Sequence, residues 1–392
     1  MQRILSINVN NDCQYNVLYR RKVVLLNYQK KLKGKRIGIV FGSFAPLHQG
    51  HLDLIMRAKK ENDGAIVFVC GFTGDKGDPR LPVNKRYRYT REFFKDDDLV
   101  AVYSIDDGDL GIALYPDGWD GWLDEAKRIW EFAVEDTSAE RVWYVGEPDY
   151  YDGLMERGEK AVYVNRTGNY ISGTMIRDNP LRHWNKIAMT FRRSFCHNVL
   201  ILGTASEGKS TLTADLGKYF GAPYSREWAR DYIRENAISD WEFDSTDFMA
   251  FLEGQYQLNR SMINAYHNRG VFFADSDALT TKMYAEQYAK EKCCILTPEE
   301  YARVATMAEE YARKSRWDKI YLLKPKGKFV DDNERFMLHA DMASREKMYE
   351  SLVESIKKSG NWDKVTILDG NYIENFETIV ADVKKVLNYE EN

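Results

Sequence analysis

Residues 198–220 read NVLILGTASEGKSTLTADLGKYF: an apolar run, a glycine-bounded loop ending in Lys-Ser-Thr, and a stretch with helical patterning. This order constrains the fold more than any other feature of the chain. A G-x-x-x-x-G-K-S loop works when it leaves the end of a strand and opens a helix, so that backbone N–H groups and the helix N-terminus converge on one anion. Gly203 and Gly208 give the backbone its freedom, Lys209 is placed to reach the β- and γ-phosphates of a nucleotide, and Ser210, followed by Thr211, is placed to bind the accompanying magnesium. Gly221 is positioned to end the helix. Such a unit belongs to a parallel sheet covered by helices. Here it begins after about two hundred residues, which leaves room for a complete domain in front of it.

The rest of the chain supplies that domain. Short runs rich in Val, Ile and aromatics occur at IGIVF (37–41), AIVFV (65–69), LVAVY (99–103), RVWYV (141–145) and AVYV (161–164). Stretches with helical spacing, such as 51–60 and 88–94, lie between them. A second series follows at 198–203, 270–275, 319–324 and 364–369, separated by amphipathic stretches at 244–266 and 298–314. Strands alternating with helices predict α/β architecture with two doubly wound parallel sheets. The boundary falls within 185–196, giving domains at 37–190 and 191–392. Residues 1–36, with the basic stretch RRKVVLLNYQKKLKGKR, form an extension too short to fold alone.

Composition narrows the function. A net charge of −4 gives no reason to expect nucleic acid as the main partner. Runs such as VVLLN at 23–27 are too short for membrane insertion. The five cysteines include no C-x-x-C spacing, and the chain opens without a secretory pattern, so a reduced, cytoplasmic setting is expected. Aromatics make up 13% of residues, and Trp and Tyr suit planar ligands as well as cores.

Chemistry concentrates at the strand ends. In GSFAPLHQGH, His48 and His51 are three residues apart at a strand-to-helix turn, where two imidazoles can donate to phosphate oxygens beside a positive helix terminus. In ISGTMIRDNP, Ser172 or Thr174 resembles an N-cap, and Arg177 projects from the first turns of a short helix with a fork suited to a polyphosphate. In the second domain, FFADSDALTT offers Asp275 and Asp277 for magnesium or for a hydroxyl proton. SREWARDY offers Glu227 and Arg230, which also suit a helix surface pair. KPKGKFVDDNERF carries Asp331, Asp332 and Arg335 where loops often close over nucleotide phosphates.

GSFAPLHQGH with ISGTMIR resembles the nucleotidyltransferase superfamily, and the joining of such a domain to a phosphate-loop kinase resembles the NadR-type bifunctional enzymes. IDDGDLGIALYPDGWDGW, VGEPDYYD, SREWARDY, FFADSDALTT and FVDDNER match the same pattern, so the resemblance spans roughly residues 37–390. It implies a Rossmann-like nicotinamide-mononucleotide (NMN) adenylyltransferase followed by a ribosylnicotinamide kinase. By that resemblance His48, His51 and Arg177 contact ATP phosphates during adenylyl transfer, with Gly42, Ser43, Phe44, Gly50, Ser172 and Thr174 lining the ATP site. Trp119, with Trp122 nearby, is expected to stack on the nicotinamide ring, whose positive charge suits an indole face. In the kinase, Gly203, Gly208, Lys209, Ser210, Thr211 and Arg335 hold ATP. Asp275 and Ser210 hold magnesium, and Glu227, Arg230, Asp277, Asp331 and Asp332 border the riboside. The proton acceptor is one of Asp275, Asp277 and Glu227. The implied small molecules are ATP, nicotinamide riboside, NMN and NAD; a homo-oligomer and a functional link to a riboside transporter accompany them.

Two departures from the family pattern stand out. Its longest members carry an N-terminal helix-turn-helix module that residues 1–36 cannot contain, so a repressor role is not expected. Phe329 stands where the family often has tryptophan. Two rivals remain: a phosphopantetheine adenylyltransferase fused to a dephospho-coenzyme A kinase, and a nucleotide-sensing regulator with little turnover.

Overall fold

The computed structural model describes residues 31–113, 116–165, 171–291, 296–326 and 341–387. The chain divides into two compact units between Phe191 and Arg192. In the first, β1 (Arg36–Gly42), β2 (Ala65–Gly71), β3 (Val100–Asp106), β4 (Glu140–Val145) and β5 (Ala161–Tyr163) form one sheet in the order β3-β2-β1-β4-β5. Every pairing is parallel, with Gly38 opposite Ala65 and Ile37 opposite Arg141. The order reverses at β1, so the crevice beyond its C-terminal end is where an open α/β sheet takes a ligand.

The inner strands are buried on both faces, as parallel sheets require; in β2 all residues but Cys70 are buried. The helix Trp119–Ala133 covers one face, placing Trp122, Leu123, Ala126, Ile129 and Trp130 in the core at helical spacing. The fold also begins earlier than the strand pattern predicts. Leu32, 3% exposed, exchanges backbone hydrogen bonds with Ala133 and Glu135, so residues 31–36 are not merely an extension.

In the second unit, β6 (His197–Leu202), β7 (Tyr224–Ser225), β8 (Val271–Asp275), β9 (Lys319–Leu323) and β10 (Val365–Leu368) pair in parallel in the order β10-β9-β6-β8-β7. The phosphate-loop strand, β6, is central. The helix Lys209–Phe220 follows the loop, and Gly221 closes it with φ 57°. A second apolar cluster, away from the sheet, joins the helices Ser245–Ile263, Ala278–Glu291 and Pro298–Lys314 through Phe248, Phe251, Leu252, Ala285 and Val304. No described helix is long and apolar enough to cross a membrane.

Candidate active sites

Beyond β1 the chain turns through Ser43, Phe44 and a cis Ala45–Pro46 bond into the helix Gln49–Lys60. His48 is the N-cap residue of that helix and only 1% exposed. Its ring stacks on that of His51 at 3.8 Å, and the buried Phe44 ring meets His51 edge-on at 4.9 Å. A side chain added at Gly50 would begin 3.4 Å from the His48 ring, an ordinary contact distance. The two imidazoles share the first turn of a helix, where an anion is favoured.

Arg177 joins them from the other end of the unit. Its short helix, Gly173–Asp178, is capped by Ser172, whose hydroxyl accepts a hydrogen bond from Met175 N–H at 3.2 Å. Thr174 instead accepts from Arg177 Nη2 at 3.1 Å, while Arg177 Nη1 donates to the Ala45 carbonyl at 2.6 Å. ISGTMIR and GSFAPLHQGH are thereby brought together. A Cβ at Gly173 would lie 2.8 Å from that same carbonyl and 3.1 Å from Arg177 Nη1.

Arg86, which the sequence did not single out, completes this scaffold. It is fully buried on the helix Val83–Phe93. Nη1 donates to the Ser43 carbonyl at 2.8 Å, and Nη2 donates to the Phe72 carbonyl at 3.2 Å and to Asp75 at 2.7 Å. One guanidinium therefore ties together the segments that leave β1 and β2. Burial holds it below the usual arginine range, opposed by Asp75. The available signal was its place on the inner face with Val83 and Thr90.

The two tryptophans lie largely within the core. Trp122 packs against Phe41, Phe68 and Trp143, deep in the core. Trp119, 8% exposed, packs on Phe41 and Tyr150 and carries the Arg157 guanidinium 5.4 Å over its ring. Both lie on the inward stripe of one helix, among aromatic neighbours of the core.

In the second unit the phosphate loop bends through positive φ at Ser206 (62°) and Gly208 (81°). Lys209 is 6% exposed, and its Nζ donates to the Thr204 carbonyl at 2.7 Å. Ser210 and Thr211 follow in the first turn of the helix. At the end of β8, Asp275 is 1% exposed, with the Ser210 hydroxyl within hydrogen-bond reach. Burial raises its pKa, Lys209 lowers it, and the charge of Glu227 raises it further. Its Oδ2 has no hydrogen-bond partner among the described residues.

Glu227 pairs with Arg230 Nε at 3.1 Å, and both line a cavity of about 390 Å³. Trp241, Phe243, Phe248, Phe251, Tyr284 and Tyr288 form much of its wall. Its size and lining suit a ligand with one planar ring. Sequence reasoning did not single out this wall, and Phe243, Phe248 and Phe251 also belong to the apolar core of the unit.

Both oxygens of Asp277 are held by protein donors. Its Oδ1 accepts from Leu279 N–H at 2.9 Å and its Oδ2 from Trp317 Nε1 at 3.1 Å, so both oxygens serve the start of the helix Ala278–Glu291 and the core. Burial pushes its pKa up to about 6. The folded form thus holds a proton that the unfolded chain releases near pH 4. This contribution is complete below that pH and falls by up to about 3 kcal/mol as the pH rises through 6. In Asp277→Asn, denaturant unfolding between pH 4.5 and 7 is expected to lose that decline; an unchanged pH slope would count against the assignment. Asp331, Asp332 and Arg335, with Phe329, lie outside the described residues.

Comparison with known proteins agrees with the two-unit reading. A cytidylyltransferase-like family model matches residues 39–179, and an AAA domain model matches residues 198–374. The Salmonella typhimurium protein described as trifunctional NAD biosynthesis/regulator protein NadR is 29% identical over 367 residues, covering 90% of this chain and 84% of that protein. A crystal structure of a NadR protein in complex with NR superposes with a TM-score of 0.81 at 31% identity, covering 93% of this chain and 99% of that one. A NadR protein in complex with NAD and AMP-PNP gives 0.79 at 32% identity over the same shares.

Proposed function

The chain belongs to the NadR family, NMN adenylyltransferase and ribosylnicotinamide kinase on one polypeptide, and we propose that its two units divide these reactions between the residues described above. The second unit moves the γ-phosphoryl group of ATP to the 5′-hydroxyl of nicotinamide riboside, giving NMN and ADP. The first unit lets an oxygen of the NMN phosphate attack the α-phosphorus of a second ATP. The bond from that phosphorus to the β-phosphate oxygen breaks, its electron pair leaves with pyrophosphate, and NAD remains.

In the kinase, the observation that carries the reading is one cavity with an aromatic wall and with Glu227 and Arg230 at its edge, in the same unit as the phosphate loop. Aromatic faces attract a cationic pyridinium by their quadrupole. Glu227 accepts the 5′-hydroxyl proton, and Arg230 holds that carboxylate in place. Lys209 exchanges the Thr204 carbonyl for the β- and γ-phosphates when ATP enters. Magnesium fits beside Asp275 Oδ2 and the Ser210 hydroxyl, a buried carboxylate oxygen awaiting a partner next to a neutral ligand, and when bound it neutralises phosphate charge.

In the adenylyltransferase, His48 and His51 donate N–H groups to the ATP phosphates, and Arg177 holds the same polyphosphate while tied to the loop at Ala45. No protein nucleophile is needed, because the NMN phosphate is already ionised. Gly173→Ala pushes against the Ala45 carbonyl and Arg177 together. It is expected to lower adenylyl transfer by about tenfold to a hundredfold, since misplacements of this size cost that much. Riboside phosphorylation by the same variant stays at the wild-type rate.

The direct test incubates the purified protein with ATP, magnesium and, in separate reactions, nicotinamide riboside or dephospho-coenzyme A, and follows products by mass spectrometry. NMN appears first and NAD follows, while dephospho-coenzyme A is left unphosphorylated. Phosphorylation of dephospho-coenzyme A alone would reject the reading in favour of the coenzyme A fusion, and the absence of both products would favour a sensor.

A further inference from the structure

Glu207 precedes the second glycine of GTASEGKST, yet its side chain is only 5% exposed. Its Oε1 pairs with the guanidinium of Arg345, 1% exposed on the helix Met342–Lys358. Its Oε2 accepts from the backbone N–H of Lys326 at 3.2 Å. One carboxylate therefore fastens the phosphate loop to two segments that lie 119 and 138 residues away in sequence. The loop backbone next to it holds Ser206, a residue with a side chain, at φ 62°. Such a conformation persists only where the surroundings enforce it. A buried ion pair adds little net stability, because desolvation offsets the attraction; its better-attested effect is to select one geometry.

We propose that Glu207 and Arg345 are a positioning pair that holds the phosphate loop in its nucleotide-binding conformation before ATP arrives. Neither touches the reacting atoms. Glu207 acts through the loop backbone, and Arg345 acts on Glu207 while cancelling a carboxylate charge that would repel the phosphates. A preorganised loop lowers the cost of binding, so loosening it weakens ATP binding and leaves the chemical step alone. The proposal rests on the second unit's being the riboside kinase, and the first unit supplies an internal control for folding and handling.

Glu207→Gln keeps the volume of the side chain and an acceptor for Lys326 N–H, but removes the charge. The kinase KM for ATP is expected to rise about tenfold with kcat nearly unchanged, the signature of lost ground-state binding. Arg345→Gln leaves a carboxylate unpaired in the loop and raises that KM further. Adenylyl transfer from ATP to NMN keeps its wild-type constants in both. The double variant Glu207→Gln/Arg345→Gln has no unpaired buried charge; its thermal midpoint returns toward the wild-type value while its KM for ATP stays high. If either single variant fails to fold, the double variant carries the test. A wild-type KM in Glu207→Gln, or a KM that recovers together with the midpoint in the double variant, overturns the positioning role. A wild-type protein that cannot phosphorylate nicotinamide riboside overturns instead the kinase reading on which the proposal stands.

Discussion

Lys209→Ala lowers conversion of nicotinamide riboside to NMN by about 10²–10³-fold and leaves conversion of NMN to NAD at the wild-type rate: this is the expected result for a chain with two independent phosphate sites. The lysine is 6% exposed and folded onto the Thr204 carbonyl, so its charge is already desolvated and aimed along the loop before nucleotide binds. A preorganised cation of this kind stabilises the charge that spreads over the transferring phosphoryl group, and losing one such donor costs about 10²–10³-fold in rate. Loss of Lys209 also removes the partner that holds the pKa of Asp275 down against burial, which compounds the effect. Separate assays started from riboside and from NMN measure the two rates. Equal loss of both in a folded protein would mean that the two units share one nucleotide site.

The second large effect is its mirror image. His51→Ala is expected to reduce NAD formation from NMN by about a hundredfold or more while riboside phosphorylation continues, so NMN accumulates. The geometry supports so large a loss because the His51 ring does two things. It offers a donor in the first turn of the helix, and it fills the 3.8 Å stack that fixes the buried His48 ring. His51→Gln returns an N–H donor but not the aromatic stack, and is expected to recover only part of the rate. Full activity in His51→Ala would remove the histidine pair from the reaction. A change in kinase rate would show instead that the substitution disturbs the fold.

Much of this was legible in the sequence because strand–loop–helix units announce themselves locally. GTASEGKST and GSFAPLHQGH each sit between an apolar run and a helical one, and the two parallel sheets follow from the spacing of those runs. The link from Arg177 to the first loop was legible only through resemblance, since no local pattern reports a contact across 132 residues. Burial was the least legible feature. Trp119 and Trp122, three apart near a glycine-rich turn, look alike as ligand platforms and as core residues, and only the structure shows that their helix turns both inward. Asp277 was ambiguous for a different reason. A carboxylate at a strand end suits catalysis and helix capping equally, and its partner Trp317 comes from a segment 40 residues on. Arg86 and Glu207 were hidden because their roles consist of backbone carbonyls and a distant guanidinium; helical spacing marks only that Arg86 faces inward.

The hydrogen bond from Arg177 to Ala45 also has a meaning in time. A ribosome that has just released the histidine loop must add 132 more residues before that loop receives its arginine, on the order of 10 s of synthesis at ordinary rates. Until then β1, β2 and β3 can pair in order, as neighbours in sequence and sheet, and β4 can add to the free side of β1. The nascent unit can therefore acquire a packed core before it acquires a finished phosphate site. Chains released early, just short of residue 173, would be compact and inert rather than partly active.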